Sequence, residues 1–107
     1  MHPPLVPDAL VEPVAARLKL LADPVRLAVL NVLRIHQELS VQEILDLTGY
    51  RQANVSKHLG LLARGGIVRR RKEGVKAFYS ICDPTVQGIC LLVAKQVEDA
   101  QGAGVLG

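Results

Sequence analysis

The segment Leu39-Ser40-Val41-Gln42-Glu43-Ile44 constrains this chain more than any other. A serine followed three residues later by glutamate makes a capping box: the hydroxyl takes the N–H of the third helical residue, and the carboxylate reaches back to the serine N–H. Leu39 and Ile44 stand at the flanking staple positions. The helix that starts here is short, because Gly49 supplies a left-handed stop. A turn of about three residues leads into another helix, over about Arg51 to Arg64, closed by Gly65-Gly66. Two short helices joined this tightly predict a helix-turn-helix.

The flanking sequence extends the pattern. Residues 1–8, with Pro3, Pro4 and Pro7, read as an irregular arm. Leu10, Val11, Val14, Ala15, Leu18 and Leu21 follow helical spacing over about Ala9 to Ala22, with Pro13 tolerated in the first turn. Asp23-Pro24 predicts an N-cap with proline at the first helical position, opening a helix that ends near His36. After the helix-turn-helix, Ile67 to Lys72 and Val75 to Ile81 flank Glu73-Gly74 and read as a β-hairpin. Asp83-Pro84 repeats the cap-plus-proline device and starts a last helix with the stripe Val86, Ile89, Cys90, Val93 and Val97. The expected fold is mainly α with a hairpin: a winged helix-turn-helix of four helices, hairpin and fifth helix over 9–101. Residues 102–107 read as a disordered tail.

Charge gives this fold a direction. Residues 51–76 hold eight of the 13 basic side chains and one acid, Glu73, an excess of seven positive charges. The rest of the chain carries five basic residues against nine acidic ones. A face polarised this way attracts a polyanion. At about 100° per residue, Val55, Leu59 and Leu62 fall on one side of the helix over 51–64. Ala53, Lys57, Gly60 and Arg64 fall on the other, with Asn54 and Ser56 on the flanks. Gln52 sits in the first turn, where a recognition helix meets base edges. Gln52 and Asn54 suit adenine, while Ser56 and Lys57 suit phosphate or base. Arg51, Arg70, Arg71, Lys72 and Lys76 are the expected phosphate grips, the last four on the wing. Taken alone, the polar helix face would be a solvated surface and the basic hairpin a guarded sheet edge. Their conjunction points to double-stranded DNA. His58 projects toward the apolar side and reads as packed or phosphate-touching, His36 as a charge partner at a helix end.

Half of the 107 residues are hydrophobic, and mean hydropathy is +0.26. The longest uninterrupted apolar run, Ile89 to Ala94, is far short of the roughly 20 residues of a spanning helix. The N-terminus has no signal layout, so a cytoplasmic protein is expected. Surplus apolar surface in so small a chain predicts a homodimer. With one Phe, two Tyr and no Trp, base stacking on single strands is poorly supplied. No nucleophile–base pair or carboxylate pair is visible, so an enzyme is not expected, and no cofactor is required. A regulator and an interaction module that offers its basic face to an acidic protein both remain open.

Leu21-Ala22-Asp23-Pro24-Val25-Arg26-Leu27-Ala28-Val29-Leu30 and Asn54-Val55-Ser56-Lys57-His58-Leu59-Gly60-Leu61-Leu62, followed by Gly-Ile-Val and a wing ending Phe78-Tyr79, resemble the ArsR/SmtB-type winged-helix repressors. The likeness covers about residues 10–98. It implies a homodimeric repressor, joined through its first and last helices, that holds an inverted-repeat operator and lets go when an effector binds. The effector sites depart from the family. Ser40 and Gln42 stand where a Cys-x-Cys metal site would be. At the last helix Asp83 survives, but Thr85, Gln96 and Asp99 replace two histidines and a glutamate, so no metal is expected. Asn31 fills the place of the second-helix cysteine of persulfide sensors. The effector is therefore unknown.

Cys82 and Cys90 are the two soft ligands in the chain. Cys90 on the apolar stripe reads first as a small core residue. Cys82 precedes the helix cap, where the dipole favours a thiolate. Eight residues of helix, about 12 Å of rise, keep the two apart within one chain. Across a dimer axis, thiols of two subunits can approach, so both are candidates for a redox, persulfide or metalloid sensor.

Overall fold

The computed structural model describes residues 1–106. Helix α1 spans Val11–Leu21, preceded by a single 3-10 turn at Asp8–Leu10. Pro13 falls at its third position, where its missing N–H costs nothing. Helix α2 (Pro24–His36) starts as expected, with the Asp23 carboxylate accepting from the amides of Val25 and Arg26 and Pro24 at the first position. It ends in a strained turn: Gln37 has φ 73° and ψ −55°, and the Glu38 amide donates to the His36 carbonyl across it.

Helix α3 (Val41–Thr48) carries the complete capping box of Ser40 and Glu43 and stops at Gly49, with φ 75°. Helix α4 (Gln52–Arg64) follows after Gly49, Tyr50 and Arg51. Strands β2 (Val68–Glu73) and β3 (Lys76–Ile81) form the wing, and Gly74 and Val75 make its two-residue tip. Gly74 has φ 61°, which a glycine adopts without steric cost. A two-residue strand missing from the sequence reading, β1 (Leu39–Ser40), adds to β3, so the hairpin is part of a three-stranded antiparallel sheet ordered β1-β3-β2.

The core lies where α2, α3 and α4 meet the base of the sheet. Val29, Leu33, Ile44, Val55, Leu59 and Leu62 have at most 1 % of their surface exposed. Helix α5 (Pro84–Leu106) contributes Val86 to it. The tail expected over 102–107 falls on the end of this helix, whose backbone runs to Leu106. Gly107 lies outside the described residues. Among the described residues much of the apolar surface of α1, of the turn before it and of α5 is uncovered: Leu10, Val11, Leu18, Leu91, Leu92, Val93 and Val97 are all exposed. Among the described residues no helix is long and apolar enough to cross a membrane.

Candidate nucleic-acid interface

The helix-turn-helix sets α4 with one side in the core and the other in solvent. Val55, Leu59 and Leu62 are fully buried, whereas Arg51, Gln52, Ala53, Ser56, Lys57 and Arg64 are exposed. Asn54 is half-buried on the flank. This is the division that the 100° projection predicts. A Cβ placed at Gly60 would meet the Arg64 guanidinium at 3.4 Å, so Arg64 folds back over Gly60 on the outer side of the helix.

The wing cations divide between two faces. In an antiparallel sheet, directly opposed residues share a face, and successive residues alternate. Arg70 pairs with Tyr79 and Lys72 with Ala77, on the face that carries the buried Leu39 and Val68. Arg69, Arg71 and Lys76 lie on the opposite face with Phe78 and Ser80. Arg51, Lys57, Arg70 and Lys72 form no salt bridge among the described residues.

Arg71 is engaged within the protein. Its Nε and Nη2 donate to the two oxygens of Glu38, its Nη1 donates to Glu73, and its guanidinium carbon lies 4.9 Å from the centre of the Phe78 ring. These hydrogen bonds raise the arginine's affinity for its proton and hold the Glu38 carboxyl below the usual glutamate range. Glu43 is likewise held low, chiefly by its bonds to Ser40, with smaller help from the charge of Lys76.

A second arginine ties the site to the outer helices. Arg17 of α1 donates to the carbonyl of Gly65, at the end of α4, and to the carboxylate of Asp83, at the start of α5. Beside it, a Cβ on Gly65 would come within 2.5 Å of a Leu20 methyl, so α1 lies hard against this turn. Nothing local in the sequence marks Arg17, because its partners are 48 and 66 residues away.

Asp83 is thus occupied. It accepts from the Thr85 hydroxyl and amide as well as from Arg17, and the Thr85 and Arg17 bonds hold its carboxyl low. Ser40 is spent on the capping box, and the Gln42 side-chain amide donates a hydrogen bond to the Asp46 carboxylate. Among the described residues no group of three or more His, Cys, Asp or Glu side chains is placed to hold a metal ion. The exposed Cys82 donates its thiol proton to the carbonyl of Gly66 at 3.3 Å. Cys90 is half-buried between α2 and α5, and burial pushes its thiol up, away from the thiolate.

Comparison with known proteins gives three kinds of likeness. Residues 21–71 match a family model described as a helix-turn-helix domain. Over 79 residues the chain is 38% identical to the transcriptional repressor PagR of Bacillus anthracis, covering 74% of this chain and 79% of PagR. The structure is similar to that of the antimony-specific transcriptional repressor AntR, with a TM-score of 0.84 and 28% identity over 95% of this chain and 92% of AntR. It is also similar to a homodimeric winged helix-turn-helix DNA-binding domain from Mycobacterium bovis, described as a possible ArsR-family regulator. There the TM-score is 0.74 and the identity 30%, over 92% of this chain and 91% of the other.

Proposed function

The chain belongs to the ArsR/SmtB family of winged helix-turn-helix transcriptional repressors, which are DNA-binding regulators and not enzymes, and from this we propose that it is a cytoplasmic, dimeric, sequence-specific repressor. Its operator is an inverted repeat. The observation that carries the proposal is the exposed row Gln52, Ser56 and Lys57 on α4, set above a core-locked inner face and beside a basic wing. Gln52 and Asn54 read bases, and Arg51, Lys57, Arg70 and Lys72 grip phosphates.

Dimerisation runs through α1 and α5. What supports it is the unburied apolar surface of both helices, which borders a groove of about 640 Å³ lined by Leu18, Leu21, Leu27, Ile89, Val93 and Val97. A two-fold arrangement of that surface presents two copies of α4 to successive major grooves.

Release by an effector is assigned to the thiols. Cys82 touches the Gly66 carbonyl just past α4, so a modified sulfur there loses that contact and crowds the turn. Cys90 borders the groove between α2 and α5 and is reached from it. Selecting tight-binding duplexes from a random library tests the whole reading. A recovered inverted repeat, bound far more tightly than random duplex, is the expected result. Failure to enrich any sequence would leave a basic face for an acidic protein as the better account. With the operator in hand, release by oxidant, persulfide or arsenite is compared for wild type, Cys82→Ser and Cys90→Ser. No release of the wild type by any of the three would remove the thiols from the mechanism.

A further inference from the structure

His58 is the one buried polar side chain among the described residues, with 6 % of its surface exposed. It stands on α4 directly after Ser56 and Lys57, which face solvent, and it points the other way, to the start of α2. Arg26 Nη1 lies 3.2 Å from His58 Nδ1. A guanidinium has only donors to offer, so Nδ1 must be the acceptor and the ring proton sits on Nε2. That nitrogen faces Oδ1 of Asp23 at 4.0 Å, too long for a hydrogen bond but close enough for attraction. The same oxygen caps α2 through the amides of Val25 and Arg26. Among the described residues Arg26 Nε is buried without a partner.

Apolar residues in place of both His58 and Arg26 would fill this space without an unmatched donor, so the cluster is a poor way to add stability. Its distinctive property is direction. Val55, Leu59 and Leu62 fix how deeply α4 sits, but apolar contact is non-directional and tolerates rotation of the helix about its axis. A hydrogen bond from position 58 to α2 does not. At a helix radius of about 5–6 Å, a rotation of about 20° carries a side-chain tip about 2 Å. That is enough to break a hydrogen bond to a base edge, whereas a flexible lysine follows its phosphate.

We propose that His58 is a positioning residue for base reading: through Arg26 and Asp23 it sets the rotation of α4 and hence where Gln52 and Asn54 point. The proposal rests on operator recognition by α4 and adds the device that aims it.

The test compares wild type with His58→Leu, which keeps bulk and loses the acceptor, His58→Asn, which returns an oxygen near the place of Nδ1, and Arg26→Met. Affinities for operator and random duplex are measured at one salt concentration, together with thermal unfolding. His58→Leu, which leaves Arg26 Nη1 without its acceptor, should unfold below the wild-type temperature and regain stability when Arg26→Met is added; it should bind operator at least about tenfold more weakly and change random-duplex affinity less than about twofold. His58→Asn should recover most of the loss. Arg26→Met should reproduce it, and should add little in combination with His58→Leu. Nitrogen NMR of the wild-type ring should find the proton on Nε2. Operator preference retained by both His58→Leu and Arg26→Met, equal losses on both duplexes, or a proton on Nδ1 would each overturn the proposal. If wild type itself does not distinguish the duplexes, operator reading fails separately. Amide exchange in α4 then decides the role of His58, faster in His58→Leu if the histidine holds the helix and unchanged if it does not.

Discussion

Arg71 and Glu38 meet through two parallel hydrogen bonds, 3.1 and 2.8 Å long, that join the wing to the turn between α2 and β1. An arginine matched to a carboxylate in this way has little charge to spare for a phosphate, and this separates it from its neighbours in the run 69–72. Arg71→Ala should leave the logarithmic salt slope of DNA binding nearly unchanged. Arg70→Ala or Lys72→Ala should each lower it by about two per dimer, one contact per subunit. Affinity titrations at several salt concentrations check this.

The same pair gives a pH dependence. The Glu38 carboxyl is held below its usual range in the fold, first by its hydrogen bond from Arg71. The pairing therefore contributes fully above the ordinary glutamate pKa of about 4.3 and is lost as pH falls through the lower folded value. Acidification to that point should release Arg71, seen as loss of the Arg71 Nε–H signal in NMR. Glu38→Gln should lack that signal already at neutral pH.

Base reading is checked at Gln52 and Asn54. Gln52→Ala and Asn54→Ala should each reduce preference for the operator by about 1–3 kcal/mol per lost contact, leaving random-duplex affinity nearly as it was. Lys57→Ala should weaken both. A uniform loss for all three would mean that α4 grips without reading.

Val93 has 56 % of its surface exposed in the single chain, on the unpaired face of α5. Val93→Asp should therefore leave the subunit folded and act on association, where an unpaired buried charge costs several kcal/mol. Sedimentation should give a dimer for wild type at micromolar concentration and a monomer for the variant, with operator affinity falling in step.

Gln37 sits at φ 73° without being a glycine, in a tight turn that costs about 1–3 kcal/mol. Gln37→Gly should relieve most of this and give back part through the entropy of the unfolded chain, for a net gain of about 0.5–1 kcal/mol. Chemical denaturation measures it, and a loss of stability would show that the turn is not strained.

What could be read in the sequence was whatever a few neighbouring residues decide. Asp23-Pro24, the Ser40–Glu43 box and the Gly49 stop each act over three or four positions, and the structure has all of them where spacing puts them. The inner and outer faces of α4 followed from periodicity alone. Strand β1 did not, because two residues carry no period and its pairing partners Phe78 and Tyr79 lie about 40 residues downstream. Charge counting put Arg71 with the phosphate contacts, and only the fold brings Glu38 beside it from 33 residues away. Projection likewise turned His58 inward but could not supply Arg26 and Asp23 as its neighbours.

The contacts of Arg17 bear on the kinetics of folding. They bridge 48 and 66 residues, so the loops they close must be ordered before either bond forms. The helix-turn-helix and the hairpin form from much shorter loops and come first on that account. Replacing Arg17 by methionine should then leave the refolding rate almost untouched and raise the unfolding rate. The two helices that carry most of the uncovered apolar surface should then be the last parts of the subunit to dock and the first to leave.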